Sequence, residues 1–197
     1  MFKPLRVLIA LSFLSSNVAH AIFTSPLGIA LIPPIQFPHE TFAVAGARAS
    51  VLWGRHSNVY GFDFGGLGNI TENIFAGIQV SGVFNINMGA ATLVALQAAA
   101  IANHNEKAFV VGLQIAGFNI NKAESVLVGL GVGLVNYSPF MTVNGAQIGI
   151  FNQARFVNGF QIGVINYTEL LRGIQIGLLN FNPTGLFAVS PFLNVGF

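Results

Sequence analysis

The sequence has no cysteine and few charged side chains. None of its 197 residues is cysteine, which excludes a disulfide scaffold and thiolate metal ligands. Charged residues make up 7% of the chain and apolar residues 53%, whereas ordinary soluble domains carry about 25% charge. We therefore expect a surface unlike that of an ordinary water-soluble domain.

Basic residues are not in excess beyond the N-terminus. Apart from Lys3 and Arg6, the sequence has six basic and six acidic residues. A nucleic-acid-binding protein needs a basic surface to neutralise phosphates. The balance of charge therefore argues against a nucleic-acid partner.

Residues 1–21 have the pattern of a secretory signal peptide. A basic start is followed by the apolar run 7–14, and alanines at positions 19 and 21 give a small-x-small cleavage site. The run is too short to span a bilayer as a helix, and no later segment offers about eighteen apolar residues uninterrupted by glycine, asparagine or glutamine. The sequence predicts an exported chain that begins at Ile22.

The C-terminal half repeats an eight-residue unit. Three copies, 145–152, 159–166 and 173–180, read Gly-x-Gln-Ile-Gly-x-x-Asn and start fourteen residues apart. Apolar residues alternate with glutamine and small residues, which is the two-residue period of a strand. Helix is disfavoured because each glycine costs about 1 kcal/mol there. Weaker copies, spaced by sixteen to eighteen residues, are 61–69, 77–85, 95–103, 112–119 and 129–136.

The repeat predicts an all-β chain of about ten strands. Charged turn clusters separate the units, and 41–53 and 186–197 add one strand at each end. Ten is an even number, as in bacterial outer-membrane barrels. Residues 22–40 contain four prolines that lack a ladder donor, so we interpret them as an N-terminal arm or plug. Residues 41–197 are predicted to form an antiparallel up-and-down transmembrane β-barrel.

A fourteen-residue repeat also fits one coil of a β-solenoid. A solenoid should bury one row of side chains and expose the other to water, yet both rows here are nearly uncharged. A barrel accounts for this, because lipid accepts the row of Ile, Val, Leu and Phe while the interior accepts the row of Gln and small residues. We keep a secreted β-solenoid that binds a surface as an alternative.

The repeat units and the closing residues 191–197 resemble a family of small bacterial surface-repeat proteins, over the chain from Val44 to its end. The resemblance implies an outer-membrane or surface location in a two-membrane bacterium, and it brings no catalytic residues. The unit 129–136 departs from the pattern, with Gly131 in place of glutamine. The terminal Phe197 is similar to the signal read by the barrel assembly machinery, which we expect as a partner beside outer-membrane lipid.

No arrangement of residues indicates catalysis or metal binding. His39, His56 and His104 lie in separate segments without metal-ligand spacing, and Asp63 is the only aspartate. No nucleophile with a base, and no pair of carboxylates, can be assembled. We therefore expect no enzyme, no metal and no cofactor.

Two sets of polar residues are candidates for function. If the turn 54–59 joins adjacent strands, Arg48 and Asp63 share the inward face, either as a polar gate or, as we favour, as a structural ion pair. In an antiparallel meander the unit asparagines reach the two rims and would contact lipid or a second subunit. We favour local turn bonds for these asparagines instead. The members at one rim are Asn85, Asn119, Asn152 and Asn180.

Three functions fit these features. The short loops and apolar lumen favour a structural or lipid-organising outer-membrane barrel, with a homo-oligomer as an option. A small-solute channel needs a hydrated lumen, and only the glutamine row and the Arg48 and Asp63 pair support it. The secreted solenoid is the remaining alternative.

Overall fold

All regular elements of residues 23–197 are β-strands. The computed structural model describes these residues, and the predicted signal peptide lies outside them. No helix in this part of the chain is long and apolar enough to cross a membrane. The strands are β1 (Thr24–Ile32), β2 (Ile35–Phe37), β3 (Ala43–Ser50), β4 (Trp53–Gly65), β5 (Gly68–Ser81), β6 (Phe84–Ala98), β7 (Ala102–Ile115), β8 (Phe118–Asn121), β9 (Ser125–Val132), β10 (Val135–Ile148), β11 (Phe151–Ile162), β12 (Ile165–Phe181) and β13 (Val189–Gly196).

Successive turns of the chain pair in parallel and in register. Gly145 of β10 lies beside Gly159 of β11, which lies beside Gly173 of β12. The same arrangement runs from β3 to β12, with β8 and β9 together forming one turn. The chain therefore winds as a parallel β-solenoid of about ten turns.

The predicted antiparallel up-and-down barrel is wrong. A barrel needs its first and last strands to pair, whereas β2 and β13 are the two ends of this sheet. Residues 41–197 thus form stacked coils and no transmembrane barrel. Alternation along a strand is the same in parallel and antiparallel sheets, so the alternation by itself carried no information on strand direction.

Each coil has three extended segments. In the coil of β5, residues 68–71 form the first segment, 74–76 the second and 78–81 the third. Residues 72–73 leave the ladder between the first two segments, and Gly77, with φ of 146°, stands between the second and third. A two-residue turn then leads into the next coil.

A corner glycine recurs between the second and third segments. At Gly145 the value of φ is 144°, a conformation that side chains with a Cβ rarely adopt. A Cβ there would meet the carbonyl oxygen of Gly129 in the preceding coil. The first residue of the repeat unit is thus required by the close stacking of coils. In the coil of β6 this corner is occupied by Ala95, with φ of 70°.

A narrow apolar core runs along the axis. Most of its members come from the second segments and point inward, and large and small residues alternate where Phe75 lies beside Ala91. The cluster comprises Val59, Phe75, Ala91, Leu93, Ala108, Val110, Leu127, Met141, Val143, Ala154, Val157 and Leu171.

Both ends of the solenoid are covered by short strands. Residues 23–42, which we call the N-terminal cap, contain β1, parallel to β3, and β2, antiparallel to β1. The segment predicted as an arm or plug is thus packed on the first coils. Pro26 lies in the part of β1 that has no strand beyond it, where a missing N–H is tolerated. At the other end β13 packs antiparallel on β12.

Candidate functional site

A ladder of buried asparagines runs through the solenoid. Each side-chain Nδ2 donates to Oδ1 of the asparagine in the next coil, at 2.7–3.0 Å. The same nitrogen also donates to a backbone carbonyl, as from Asn136 to Ile148 at 3.0 Å. The members, each at most 1% exposed, are Asn69, Asn85, Asn103, Asn119, Asn136, Asn152, Asn166 and Asn180.

Glutamines form a second buried ladder. Each Nε2 donates to Oε1 in the preceding coil at 2.8–3.0 Å, so these bonds run towards the N-terminus, opposite to those of the asparagine ladder. Gly131 interrupts the ladder, and its first member, Gln79, donates to Oδ2 of Asp63 at 3.1 Å. The members, each at most 2% exposed, are Gln79, Gln97, Gln114, Gln147, Gln161 and Gln175.

A third, shorter ladder bonds to the glutamines of the preceding coil. Nδ2 of Asn87 donates to Asn105 in the next coil at 2.7 Å and to Gln79 in the preceding coil at 2.9 Å. Asn105 and Asn121 continue the series to Ser138, with bonds of 2.9 Å. Because these amides bond to one another, the interior accommodates polar groups that burial would otherwise penalise.

The ladders contain the residues that the barrel prediction placed elsewhere: the glutamines in a lumen and the asparagines at two polar rims. Asn85, Asn119, Asn152 and Asn180 belong to one continuous ladder and are buried, so their side chains do not reach lipid or a second subunit. Their bonds cross to the next coil and do not stay within a turn. The glutamines, expected to line a lumen, bond to one another instead.

Arg48 and Asp63 form a buried ion pair. Nε and Nη2 of Arg48 donate to Oδ1 and Oδ2 of Asp63, both at 2.7 Å, and both side chains are fully buried. Nη1 also donates to the carbonyl oxygen of Ile70 at 3.0 Å. The structure thus brings these residues together, but through the parallel register of β3 and β4. The expected turn 54–59 lies inside β4.

His56 completes this buried cluster. Its Nδ1 lies 3.3 Å from Nη1 of Arg48, and its Nε2 lies 3.1 Å from the carbonyl oxygen of Pro38. Burial, and then the charge of Arg48, lower the pKa of His56 from 6.5 to about 4. The imidazole is therefore neutral at pH 7.

The other histidines lie apart from this cluster. His39 bonds to Thr41 in the turn before β3 at 3.2 Å, and His104 points outward from β7. Among residues 23–197, no group of three or more histidine, aspartate or glutamate side chains is placed to hold a metal ion. Phe197 is fully exposed at the end of the chain.

The third segments present a wholly apolar outer surface. Two outward positions in each of nine consecutive coils carry only Ala, Val, Leu, Ile or Phe, and none of these side chains is buried. With parallel strands about 4.8 Å apart, this surface is about 40 Å long. We call it the apolar face: Ala47, Ala49, Phe62, Phe64, Ile78, Val80, Leu96, Ala98, Leu113, Ile115, Leu130, Val132, Ala146, Ile148, Phe160, Ile162, Ile174 and Ile176.

Most charged side chains outside the buried interior gather at a different edge of the coil, between the first and second segments; Arg172, in the second segment, and Glu40, in the N-terminal cap, lie elsewhere. Three exposed ion pairs form there, with separations of 2.5–3.9 Å. Such pairs contribute little to stability, but they keep this edge hydrated. We call it the charged ridge: Arg55, Glu72, Glu106, Lys107, Lys122, Glu124, Arg155 and Glu169.

The chain matches no protein-family model, no curated protein and no solved structure. The similarity to surface-repeat proteins therefore stays a prediction. Sequence reasoning missed the amide ladders. A signal was present, since the same amide recurs at the same position of successive units, which is typical of stacked parallel strands.

Proposed function

We propose that the protein is an exported β-solenoid with a binding role and no catalytic one, attached to outer-membrane lipid of a two-membrane bacterium through its apolar face. The attachment is peripheral, so that the solenoid lies on the lipid and does not cross it. The proposed location draws on the signal-peptide pattern of residues 1–21 and on the surface-repeat resemblance.

The apolar face is the observation that carries this proposal. Phe62 and Phe160 on it are 51% and 48% exposed. Ile101 and Leu178, which adjoin the apolar face, are 54% and 58% exposed. Residues at these adjoining positions widen the uncharged surface to roughly 800 Å², above the largest patch of about 300–600 Å² on a typical monomer. Burying even about 200 Å² of it in lipid would contribute on the order of 5 kcal/mol, comparable with one acyl anchor.

The position of the charges supports the same orientation. In the coils that carry a member of the charged ridge, that member and the apolar face lie on different sides, separated by the first or the second segment. A surface divided into an apolar and a charged side is typical of proteins that lie in the interface of a membrane. The ridge would then face water while the apolar face meets lipid.

Vesicle flotation tests the proposal with two variants of the same strand. Ile148→Glu changes the apolar face, whereas Phe140→Glu changes the edge of the β10 coil that is in line with the charged ridge; these side chains are 39% and 54% exposed. We expect the purified chain and Phe140→Glu to float equally well with phosphatidylcholine vesicles. Ile148→Glu should partition at least about tenfold less, because a carboxylate is costly in lipid.

The proposal would be contradicted if the unmodified chain stayed at the bottom of the gradient. It would also be contradicted if Ile148→Glu floated as well as Phe140→Glu. Circular dichroism of both variants serves as the control for folding, since loss of strand signal would make their flotation uninformative.

A homo-oligomer is the second candidate. The uncharged surface is about as large as the roughly 800 Å² that each partner buries in a standard protein interface. Sedimentation without lipid distinguishes the two. An oligomer that Ile148→Glu dissociates, in a chain that does not float, would favour a second copy as the partner of the apolar face.

A further inference from the structure

His56 is one of the contacts between the N-terminal cap and the solenoid, beside the ladder of β1 with β3 and the bonds of Gln36 to the backbone of Arg55. Nε2 of His56 lies 3.1 Å from the carbonyl oxygen of Pro38, which belongs to the cap. Nδ1 faces Nη1 of Arg48 at 3.3 Å. The imidazole is fully buried, so one neutral ring bridges the cap and the ion pair below it.

The contacts fix which nitrogen carries the proton. A guanidinium only donates hydrogen bonds, so Nδ1 must accept from Arg48. The carbonyl oxygen of Pro38 only accepts, so the proton lies on Nε2. A second proton on Nδ1 would set N–H against N–H and place two cations side by side in the interior.

Arg48 has little freedom to move away from a protonated His56. It bonds through two nitrogens to Asp63 and through the third to Ile70. The charged or titratable groups that face the imidazole are Arg48 from β3, Asp63 from β4 and His39 from the cap. β5 places Thr71 beside it, Glu72 of β5 is bonded to Arg55, and β1 has no charged residue.

We propose that this cluster makes attachment of the N-terminal cap sensitive to acid: a second proton, on Nδ1 of His56, sets the ring against the fixed guanidinium of Arg48 and favours its exit to water, which requires residues 23–42, whose Pro38 lies over the ring, to leave the first coils. Release would expose the edge of β3, whose backbone groups could then pair with a strand of a second copy. The inference is independent of the proposed lipid attachment, since the apolar face contains no member of the cluster.

The direction of the pH effect on cap opening follows from the pKa of His56 with the cap closed and with the cap open. Because the pKa of His56 is about 4 with the cap closed and 6.5 when the ring is free in water, the cap is most stable above pH 6.5 and loses stability as the pH falls towards 4. Between pH 7 and pH 4.5 the opening equilibrium should rise about 60-fold.

Hydrogen exchange of assigned amides measures this opening. Val51 and Leu52 donate to the cap carbonyls of Ala30 and Leu31, at 2.8 and 3.0 Å. Their protection factors should fall about 60-fold from pH 7 to pH 4.5. The amide of Val164, bonded to Ile150 at 2.9 Å far from the cap, provides the reference and should keep its protection.

His56→Gln is the matched variant, because glutamine offers the same donor and acceptor but does not titrate. We expect its Val51 and Leu52 amides to stay protected at pH 4.5, while His39→Gln behaves as the unmodified chain does. Equal loss of protection in His56→Gln would assign the effect to carboxylates and overturn the proposal. No selective loss in the unmodified chain, which requires no variant to fold, would overturn it as well.

Discussion

At the scale of single residues, the buried amides determine how the coils stack. Each asparagine inside the ladder accepts from one neighbouring coil and donates to the other, as Asn136 does with Asn119 and Asn152. A buried amide left without partners costs about 1–3 kcal/mol. A substitution in one coil therefore leaves unpaired groups in the coils on both sides of it.

The break in the glutamine ladder gives a prediction at this scale. Gly131 lies beside both Gln114 and Gln147, and the nearest atom to a Cβ added there is Cδ2 of Leu127, at 3.3 Å. Gly131→Gln should join the two runs of the ladder. We expect a gain of about 1 kcal/mol, from two hydrogen bonds less the ordering of the side chain.

Thermal unfolding measures this gain. About 1 kcal/mol corresponds to a rise in Tm of about 2–4 °C for a chain of this size. Gly131→Ala adds the Cβ without the amide, so the difference between the two variants isolates the hydrogen bonds. A Tm for Gly131→Gln at or below that of Gly131→Ala would show that the ladder does not stabilise the coils.

At the scale of the strand and its coil, the corner between the second and third segments limits which residue types can occupy that position in successive coils. Eight glycines with positive φ stand at this corner, from Gly46 to Gly173. Ala95 takes the same place in β6, beside Gly112 of β7. At this corner the strand changes direction without leaving the backbone hydrogen-bond ladder, and its backbone packs against the backbone of the neighbouring coil.

The corner predicts opposite effects for two substitutions. Gly145→Ala should destabilise the protein by at least about 2 kcal/mol, because it adds a strained φ and a contact with the Gly129 carbonyl oxygen. Ala95→Gly should leave stability unchanged or raise it by up to about 1 kcal/mol, because it relieves φ of 70°. Denaturant unfolding compares them, and equal losses would mean that the corner does not require glycine.

The elements were largely predictable and their direction was not. The period of fourteen residues, the alternation and the position of units such as 159–166 are visible in the sequence, and β11 and β12 contain these units. Parallel and antiparallel strands share the same alternation. The decisive signal was the stacking of like on like, Asn152 beside Asn166 and Gly159 beside Gly173, which an antiparallel pair would not produce.

At the scale of the whole molecule, the usual distribution of polarity is partly reversed. The interior holds ladders of asparagine and glutamine beside its apolar core, while Ile, Val, Leu and Phe cover the third segments outside. Sequence analysis preferred a barrel because neither row of side chains suited water. That argument overlooked that buried amides can satisfy one another, which lets a solenoid keep its apolar row outside.

This partial reversal also explains how much of the candidate site could be predicted from the sequence. The uncharged Ile-x-Ile positions were predicted to face outward, and Arg48 and Asp63 were predicted to be neighbours, as the structure shows. The contact of His56 with Pro38 was not, because residues eighteen positions apart meet only when the cap folds over the first coils. Their sequence positions carry no repeat signal.

The central claim is that the apolar face meets lipid while the charged ridge stays in water. The chain lacks cysteine, so a single nitroxide label can be attached at Ile148→Cys or at Phe140→Cys. Power saturation on vesicles should show the label at 148 shielded from an aqueous nickel complex and accessible to oxygen, with the label at 140 open to the nickel complex. Equal nickel access at both positions would contradict the account.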